Sequence, residues 1–416
     1  MPKEEHMETM YHRCAGLDVH KKSVEVAVRI LDTPGRLQTQ TRHFGTYTRN
    51  LLEMADWLAD QGVTHVAMES TGVFWKPIYN ILEGRFSVLL VNARHVKNVP
   101  GRKTDIKDCQ WLAQLLQCGL LTGSFVPGRD LRQLRDLTRH RAQLVAEKNR
   151  VINRIHKVLE DANIKLGSVA TDIVGVSGRA MICAIIQGED NAERLAGNAR
   201  RRLKNKTEEL KLALEGHVNE HHRFMLKLLW EQLLSVESLI QQLEDKIASQ
   251  MGPFQQAVEL IDEVPGIDRR VAHTIIAEMG IDMGQFPTDR HLASWAGMCP
   301  GNNESAGKRK SGKTTKGSRW LRQALVQAAW AASHVQDSYL AAQYSRVVKK
   351  RGKKRALVAV GHSILVIIYQ MLKKKVHYQD LGSNYFDMRN HIHLTKYLVK
   401  RLEGLGHKVM LEPRAA

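Results

Sequence analysis

Between Leu226 and Ile247 the apolar residues Leu226, Leu229, Leu233, Val236, Ile240, Leu243 and Ile247 follow one another at steps of 3, 4, 3, 4, 3 and 4. Only a helix returns such positions to one line along its surface, and a line this narrow is the seam of a coiled coil. A looser apolar stripe (Leu134, Leu137, Leu144, Val151, Ile155, Val158) runs through about 130–161. Two long helices in one chain predict an antiparallel arm. An intramolecular bundle is the alternative, and the narrowness of the seam favours an arm that forms a dimer.

The residues before this helical stretch have a different period. "RCAGLDVHKKSVEVAVRI" at 13–30 has two β-prone apolar runs around a polar break, which predicts a hairpin. "TRHFGT" at 41–46 is a third strand candidate, 48–60 has helical periodicity, and "THVAMES" and "FSVLLVN" are further strands. A helix starting within 71–82 is limited by Pro77. A strong helix is predicted over 104–121 with Thr104 as its N-cap. Three strands followed by alternating helix and strand make an α/β domain. The boundaries expected are 1–128 for this domain, 129–255 for the helical linker, 256–375 for a helical C-terminal domain, and 376–416 for a tail without an assigned role.

With 416 residues the chain has room for two or three domains. Its 62 Lys and Arg against 43 Asp and Glu give a formal net charge of +19. Self-repulsion of that size is relieved by a polyanion, with nucleic acid first and an anionic membrane second. The longest apolar run, "ALVAVGHSILVIIYQM" at 356–371, is short of the ~20 residues of a membrane span and reads as a core helix. No apolar secretory segment opens the sequence, and the five cysteines are scattered without a C-x-x-C pair. A cytoplasmic, nucleoid-associated bacterial protein with reduced thiols and no membrane partner is the expectation.

Four acids stand where chemistry would use them. Asp18 and Glu69 end strand-like apolar runs, where an ionised group is costly unless exposed or paired. Asp105 and Asp108 are three apart and share a helix face. Converging carboxylates bind hard divalent cations, Mg²⁺ or Mn²⁺, which assist phosphoryl transfer. Taken singly, each has a structural alternative: Asp18 as a turn residue, Asp105 and Asp108 as acids in a first helical turn.

Downstream, "IDEVPGIDRRVAHTIIAEMG" at 261–280 has the form of a helix-hairpin-helix whose turn amides would hold a phosphate. "NNESAGKRKSGKTTKG" at 302–317 then reads as a polar loop with Ser305, Ser311, Lys308, Arg309, Lys310, Lys313 and Lys316. A serine hydroxyl needs activation to attack phosphate, and the cations would offset charge building there. His217, His221 and His222 have no Cys or acid at a metal-ligand spacing and are expected to face solvent.

"GLDVHKKSVEVAV", "AMESTGVFWKPIYNIL" and "VNARHVKNVPGRKTDIKDCQWLAQLL" resemble the N-terminal half of the DEDD insertion-sequence transposases. "VPGIDRRVAHTIIAEMG" and "LASWAGMCPGNNESAGKRKSGKTTKGSRWLRQALVQAAWAA" resemble their C-terminal half. The resemblance spans roughly 13–128 and 258–335 in the family's order. It implies an RNase H-like domain similar to Holliday-junction resolvases, a coiled-coil linker, and a C-terminal transposase domain. It implies that Asp18, Glu69, Asp105 and Asp108 hold metal, and that Ser305 is a nucleophile, with Ser311 a second candidate. Glu304 and Ala306 depart from the commoner Ser-Ser-Gly-Gly form.

For function, the resemblance implies an RNA-guided recombinase. It would act on donor and target DNA with a structured bridge RNA, as a dimer or tetramer in which one subunit's acids meet another's serine. Two other classes remain open: a metal-dependent junction endonuclease using water, and a basic scaffold without catalysis.

Overall fold

The structure is a computed structural model, and it describes residues 10–32, 36–70, 72–93, 96, 107–301, 303–389 and 391–412. The chain divides into two compact units, Met1–Val126 and Pro127–Ala416.

The first unit is a mixed α/β layer built on five strands: β1 (Arg13–Val19), β2 (Ser23–Asp32), β3 (Arg36–Gly45), β4 (His65–Glu69) and β5 (Ser87–Val91). They lie in the order β3-β2-β1-β4-β5. The β1–β2 and β2–β3 pairs are antiparallel, and β1–β4 and β4–β5 are parallel. β1 is central and buried on both faces, which its nearly continuous apolar run requires. β3 is longer than the strand expected at 41–46 and begins at Arg36. As a solvated edge, it exposes its side chains through residue 43, all polar except Leu37, and so lacks an apolar alternation.

Alternate residues of each strand meet different partners. Leu17, Val19, Val26 and Met68 pack with helices α1 (Thr48–Asp60) and α2 (Trp75–Leu82) on one face. Pro77 is the third residue of α2, inside the first turn, where its missing N–H breaks no intrahelical bond. Cys14, Ala27 and Ala67 lie on the other face under α3 (Asp108–Gln117). Helix α3 starts with Lys107 in the N-cap position; Thr104, the expected N-cap, lies outside the described residues. The approach of α3 to β1 is close. A Cβ on Gly16 would sit 2.3 Å from the Cys109 carbonyl oxygen and 2.4 Å from the Ala113 nitrogen, so only glycine fits.

The second unit is helical apart from one small hairpin. Helix α4 (Arg129–Asp161) runs out to a lobe, and α7 (Glu220–Gln250) returns antiparallel to it. Asp161 meets His222 at 3.0 Å near one end, and Lys148 meets Glu237 at 2.8 Å further along. In the seam, Leu226, Leu229, Leu233, Val236 and Ile247 are buried and Ile240 and Leu243 half-buried. The first three belong to the same core as α4 and the lobe. The seam therefore faces its own chain, and it does not supply the dimer surface expected of it.

The lobe holds helices α5 (Val176–Ile186) and α6 (Thr207–Leu214) around Ile164, Met181, Ile182, Leu195 and Leu210. His222 departs from the expected solvent exposure. It is buried, forms a capping box with Asn219 at the start of α7, and bonds Asp161. His217 and His221 are exposed.

The rest of the unit comprises α8 (Gln255–Asp262), α9 (Arg269–Met279), α10 (Asp289–Trp295), the hairpin β6 (Asn303–Ser305) and β7 (Lys308–Ser311), α11 (Arg319–Ala332), α12 (Tyr339–Arg351), α13 (Lys353–Lys374) and α14 (His391–Glu403). α13 has the length and hydropathy of a membrane span, but Val360, Ile364, Leu365, Ile368 and Tyr369 are buried in this unit. The tail holds α14 and a shorter helix whose Phe386 stacks on Tyr339 at 5.2 Å.

Candidate functional site

The first group of candidates gathers at one sheet edge. Leu17 is paired with Met68 across the parallel β1–β4 ladder, so Asp18 and Glu69, each the next residue, stand side by side at the strand ends. By alternation both belong to the face shared with Cys14, Gly16 and Ala67, the face covered by α3. Asp108 is the first residue of that helix and is exposed. Asp105 lies outside the described residues. Asp18 is half-buried and within 3.2 Å of His20 Nε2.

A further acid shares this edge. Glu25 sits directly opposite Asp18 in the β1–β2 ladder, accepts from His43 at 2.6 Å, and lies 3.9 Å from Lys107. Burial raises the pKa of the Cys109 thiol, and the Glu25 and Asp18 carboxylates push it further in that direction. Their charge thus reaches the residue next to Asp108, and Cys109 stays a protonated core thiol. Among the described residues no group of three or more acids, histidines or cysteines is placed to hold a metal ion. The donor set is nonetheless of one kind, carboxylate oxygen, which fits Mg²⁺ or Mn²⁺ and not a thiolate-seeking ion.

The first part of the basic stretch, 303–311, is a β-hairpin whose pairs are Asn303 with Ser311, Glu304 with Arg309, and Ser305 with Lys308, with an irregularity between Asn303 and Glu304; 312–317 form no strand or helix. Ala306 and Gly307 have φ of 51° and 73°, the two left-handed residues of a type I′ turn. Ser305 is therefore the first residue of the turn, at the hairpin tip. Ala306 adopts a left-handed conformation that favours glycine. Polar composition concealed this element because no large apolar side chain holds it to a core. The side chains of Ser305, Arg309 and Lys310 lie outside the described residues. Lys308, Lys313 and Lys316 are exposed, with no acidic partner among the described residues. The Ser311 hydroxyl accepts from the Lys313 backbone N–H at 3.2 Å, a turn-forming role at the hairpin exit.

The hairpin is held at its root. Gly301 N–H donates to the Lys313 carbonyl at 2.7 Å, and Thr315 N–H to that of Cys299 at 3.3 Å. Below these bonds the two chain segments touch backbone to backbone. A Cβ on Gly317 would meet the Ala296 carbonyl at 2.3 Å, and one on Gly297, at φ 67°, the Gly317 nitrogen at 2.6 Å. Arg322, one turn into α11, donates from Nη2 to the Gly297 carbonyl and, at 2.8 Å, to that of Thr315. It thus closes both segments with one guanidinium.

The start of α11 has a second anchor. Ser318 caps it by accepting from Leu321 N–H and donates to the Glu278 carboxylate at 2.9 Å. Glu278 is 1% exposed and takes two bonds from Arg139 of α4, at 2.6 and 2.8 Å. Burial would lower the Arg139 pKa, but the bonds and charge of Glu278 outweigh it and the shift is upward. The hairpin root and the root of the arm thus share one buried carboxylate. The Pro265–Gly266 turn, expected to offer amides to a phosphate, is packed instead. A Gly266 Cβ would lie 2.2 Å from the Ala328 carbonyl of α11, and Asp268 already caps Val271 N–H.

A family model described as Transposase, of the DEDD IS110 type, matches residues 15–164, and the Transposase IS116/IS110/IS902 family model matches 258–345. The chain belongs to the DEDD-type insertion-sequence transposases. No curated protein matches it. In the transposase the first match contains all four predicted acids and the second contains the hairpin, its root and most of α12. Most of the lobe falls between them, in neither match. Sequence reasoning missed Glu25, although a turn at 20–22 already sets 18 opposite 25. It also missed Gly297, Gly317, Glu278 and Arg322, whose partners are distant in sequence and leave no periodic signal.

Proposed function

We propose that the transposase cuts and rejoins DNA at a phosphodiester through a covalent serine intermediate, guided by a structured RNA. The strand order β3-β2-β1-β4-β5, with its antiparallel first three strands, supports an RNase H-like reading of the first unit. The observation that carries the proposal is the meeting of Asp18, Glu69 and the start of the Asp108 helix on one face at one sheet edge. Asp105 completes the set by resemblance. A divalent cation held there would supply Lewis acidity and charge neutralisation.

The chain's own residues account for the rest. The Ser305 oxygen attacks phosphorus; an Oγ–P ester bond forms as the bond to the departing strand breaks. The proton leaves Oγ, and the departing strand's oxygen takes one up. Lys308, Arg309, Lys310, Lys313 and Lys316 stabilise the charge on the phosphate. Energy of the broken phosphodiester is kept in the serine ester, so rejoining needs no nucleotide cofactor. Function as a homo-oligomer, one subunit's acids serving another's serine, belongs to the same proposal.

The test is to trap protein on donor and target DNA with the RNA transcribed beside its gene. Wild type yields a denaturant-stable adduct, whereas Ser305→Ala and Asp18→Ala each yield none. An adduct that persists in Ser305→Ala refutes the nucleophile. Cleavage that persists there without an adduct supports a hydrolytic junction nuclease instead.

A further inference from the structure

The lobe carried by the arm has a use that neither matched segment explains. Arg200, Arg201, Arg202, Lys204 and Lys206 place five cations in seven residues, all exposed, along a short 3₁₀ turn. The lobe's other cations show how its charges are normally handled. Arg194 pairs with Glu189 at 3.5 Å, and Lys211 pairs with Glu208 at 3.1 Å and Glu193 at 3.3 Å. Within the turn Lys206 meets Glu209 at 3.6 Å. Arg200, Arg201, Arg202 and Lys204 have no acidic partner among the described residues, although acids stand within the same lobe.

Nor is the turn a loose strand of charge. Arg200 N–H is held by the Oγ of buried Ser177 at 2.9 Å, and Arg201 is in the left-handed region at φ 54°. The left-handed region is disfavoured for any residue but glycine, and gathering like charges adds repulsion. Both are maintained on a lobe whose apolar core is continuous with that of the arm. Arg141 bonds Arg270 and Thr274 at the arm's root, and about 20 residues of helix, some 30 Å, lead from there to Asp161 beside the lobe. That length equals about nine base pairs of duplex at ~3.4 Å each.

We infer that the Arg200–Lys204 turn is a second DNA-binding surface, one that grips the phosphate backbone of duplex DNA away from the reacting bond. It rests on the DNA-acting character of the family and not on the serine chemistry. Unpaired, exposed guanidinium groups bind phosphate without reading sequence. The surface adds affinity and salt dependence uniformly across sequences.

The experiment compares full-length protein with a triple variant, Arg200→Gln, Arg202→Gln and Lys204→Gln, in binding to a 40-base-pair DNA duplex over a salt series. Arg201 is left in place to preserve the turn. The slope of log K against log salt falls by about 0.9 for each phosphate no longer neutralised, so by ~2–3 in all. Arg194→Gln with Lys211→Gln removes two acid-paired charges and leaves the slope nearly unchanged. An unaltered slope in the triple variant, or an equal loss in the control pair, overturns the surface. A loss seen only with an RNA duplex of the same length overturns the DNA assignment. Because binding needs no cleavage, adduct formation by the same preparation tells a failure of this surface from a failure of the serine mechanism.

Discussion

Two backbone contacts in this transposase are built alike and supported differently. At Gly16 a helix rests on a strand, and at Gly317 one chain segment crosses another; an added Cβ would meet backbone at 2.3 Å in both places. The Gly16 contact lies inside an apolar core, with Cys14, Ala27, Ala67, Ala113 and Leu116 fully or almost fully buried around it. The Gly317 contact has a hairpin above it with no large apolar side chain, tied among the described residues by bonds to carbonyls, including those of Arg322. The acids are thus fixed by the same forces that fold their unit. The serine strand is fixed at its root by carbonyl bonds and the Arg322 guanidinium.

The two contacts part most sharply when their glycines are replaced. Gly16→Ala forces α3 off β1 and costs about 3 kcal/mol, read as a lower denaturation midpoint. Gly317→Ala meets the same obstruction, yet the hairpin root gives way, and stability falls by under ~1 kcal/mol. The rate of adduct formation with Gly317→Ala falls about 100-fold, the scale of a 1 Å misplacement. Equal stability losses would remove the distinction.

Arg322→Ala comes next. It leaves the folded body and DNA affinity intact, lowers adduct formation roughly 10- to 100-fold, and raises hydrogen exchange at the Gly301 and Thr315 amides. Arg322→Lys restores part of both, since one ammonium reaches one carbonyl well. Unchanged exchange at those amides would show that the clamp is not what holds the hairpin. Ala306→Gly relieves a left-handed alanine and stabilises the hairpin by roughly 0.5–1 kcal/mol, seen as slower exchange at the same two amides.

The smallest effect lies in the arm. Burial raises the pKa of Glu237, but hydrogen bonds and charge from Arg179 and Lys148 outweigh it, and the net shift is downward. A carboxylate lowered on folding contributes stability that is full above its ordinary value, ~4.3, and is lost as pH falls through the lowered one. Glu237→Gln therefore speeds exchange in α5 at pH 7, and the difference from wild type shrinks as pH falls below the ordinary carboxylate range. A difference that grows on acidification would reverse the assignment.

The same contrast explains what could be read from sequence. β1, β2, α1 and the 226–247 seam announce themselves because their burial imposes a period on the residues. Asp18 and Glu69 stood out for the same reason, as charges ending apolar runs. β3 escaped along most of its length because a solvated edge needs no apolar alternation. The hairpin escaped because turn geometry and a remote arginine hold it, and neither writes a repeat. His222 looked like one of three surface histidines until Asp161 and Asn219 were beside it. The resemblance reached Ser305 by position, but the clamp beneath it required coordinates.

The His222–Asp161 contact has one more consequence. The chain enters the lobe after Asp161 and returns at Asn219, and those two points are neighbours in space. A segment whose two ends nearly touch behaves like a cartridge: it can be lifted out and the gap closed by a short connector, leaving both arm helices in register. A transposase lacking residues 163–217 would keep both arm helices but would uncover Val151, Ile155, Leu226, Leu229 and Leu233, which share their core with the lobe, so the connector would have to cover that apolar face.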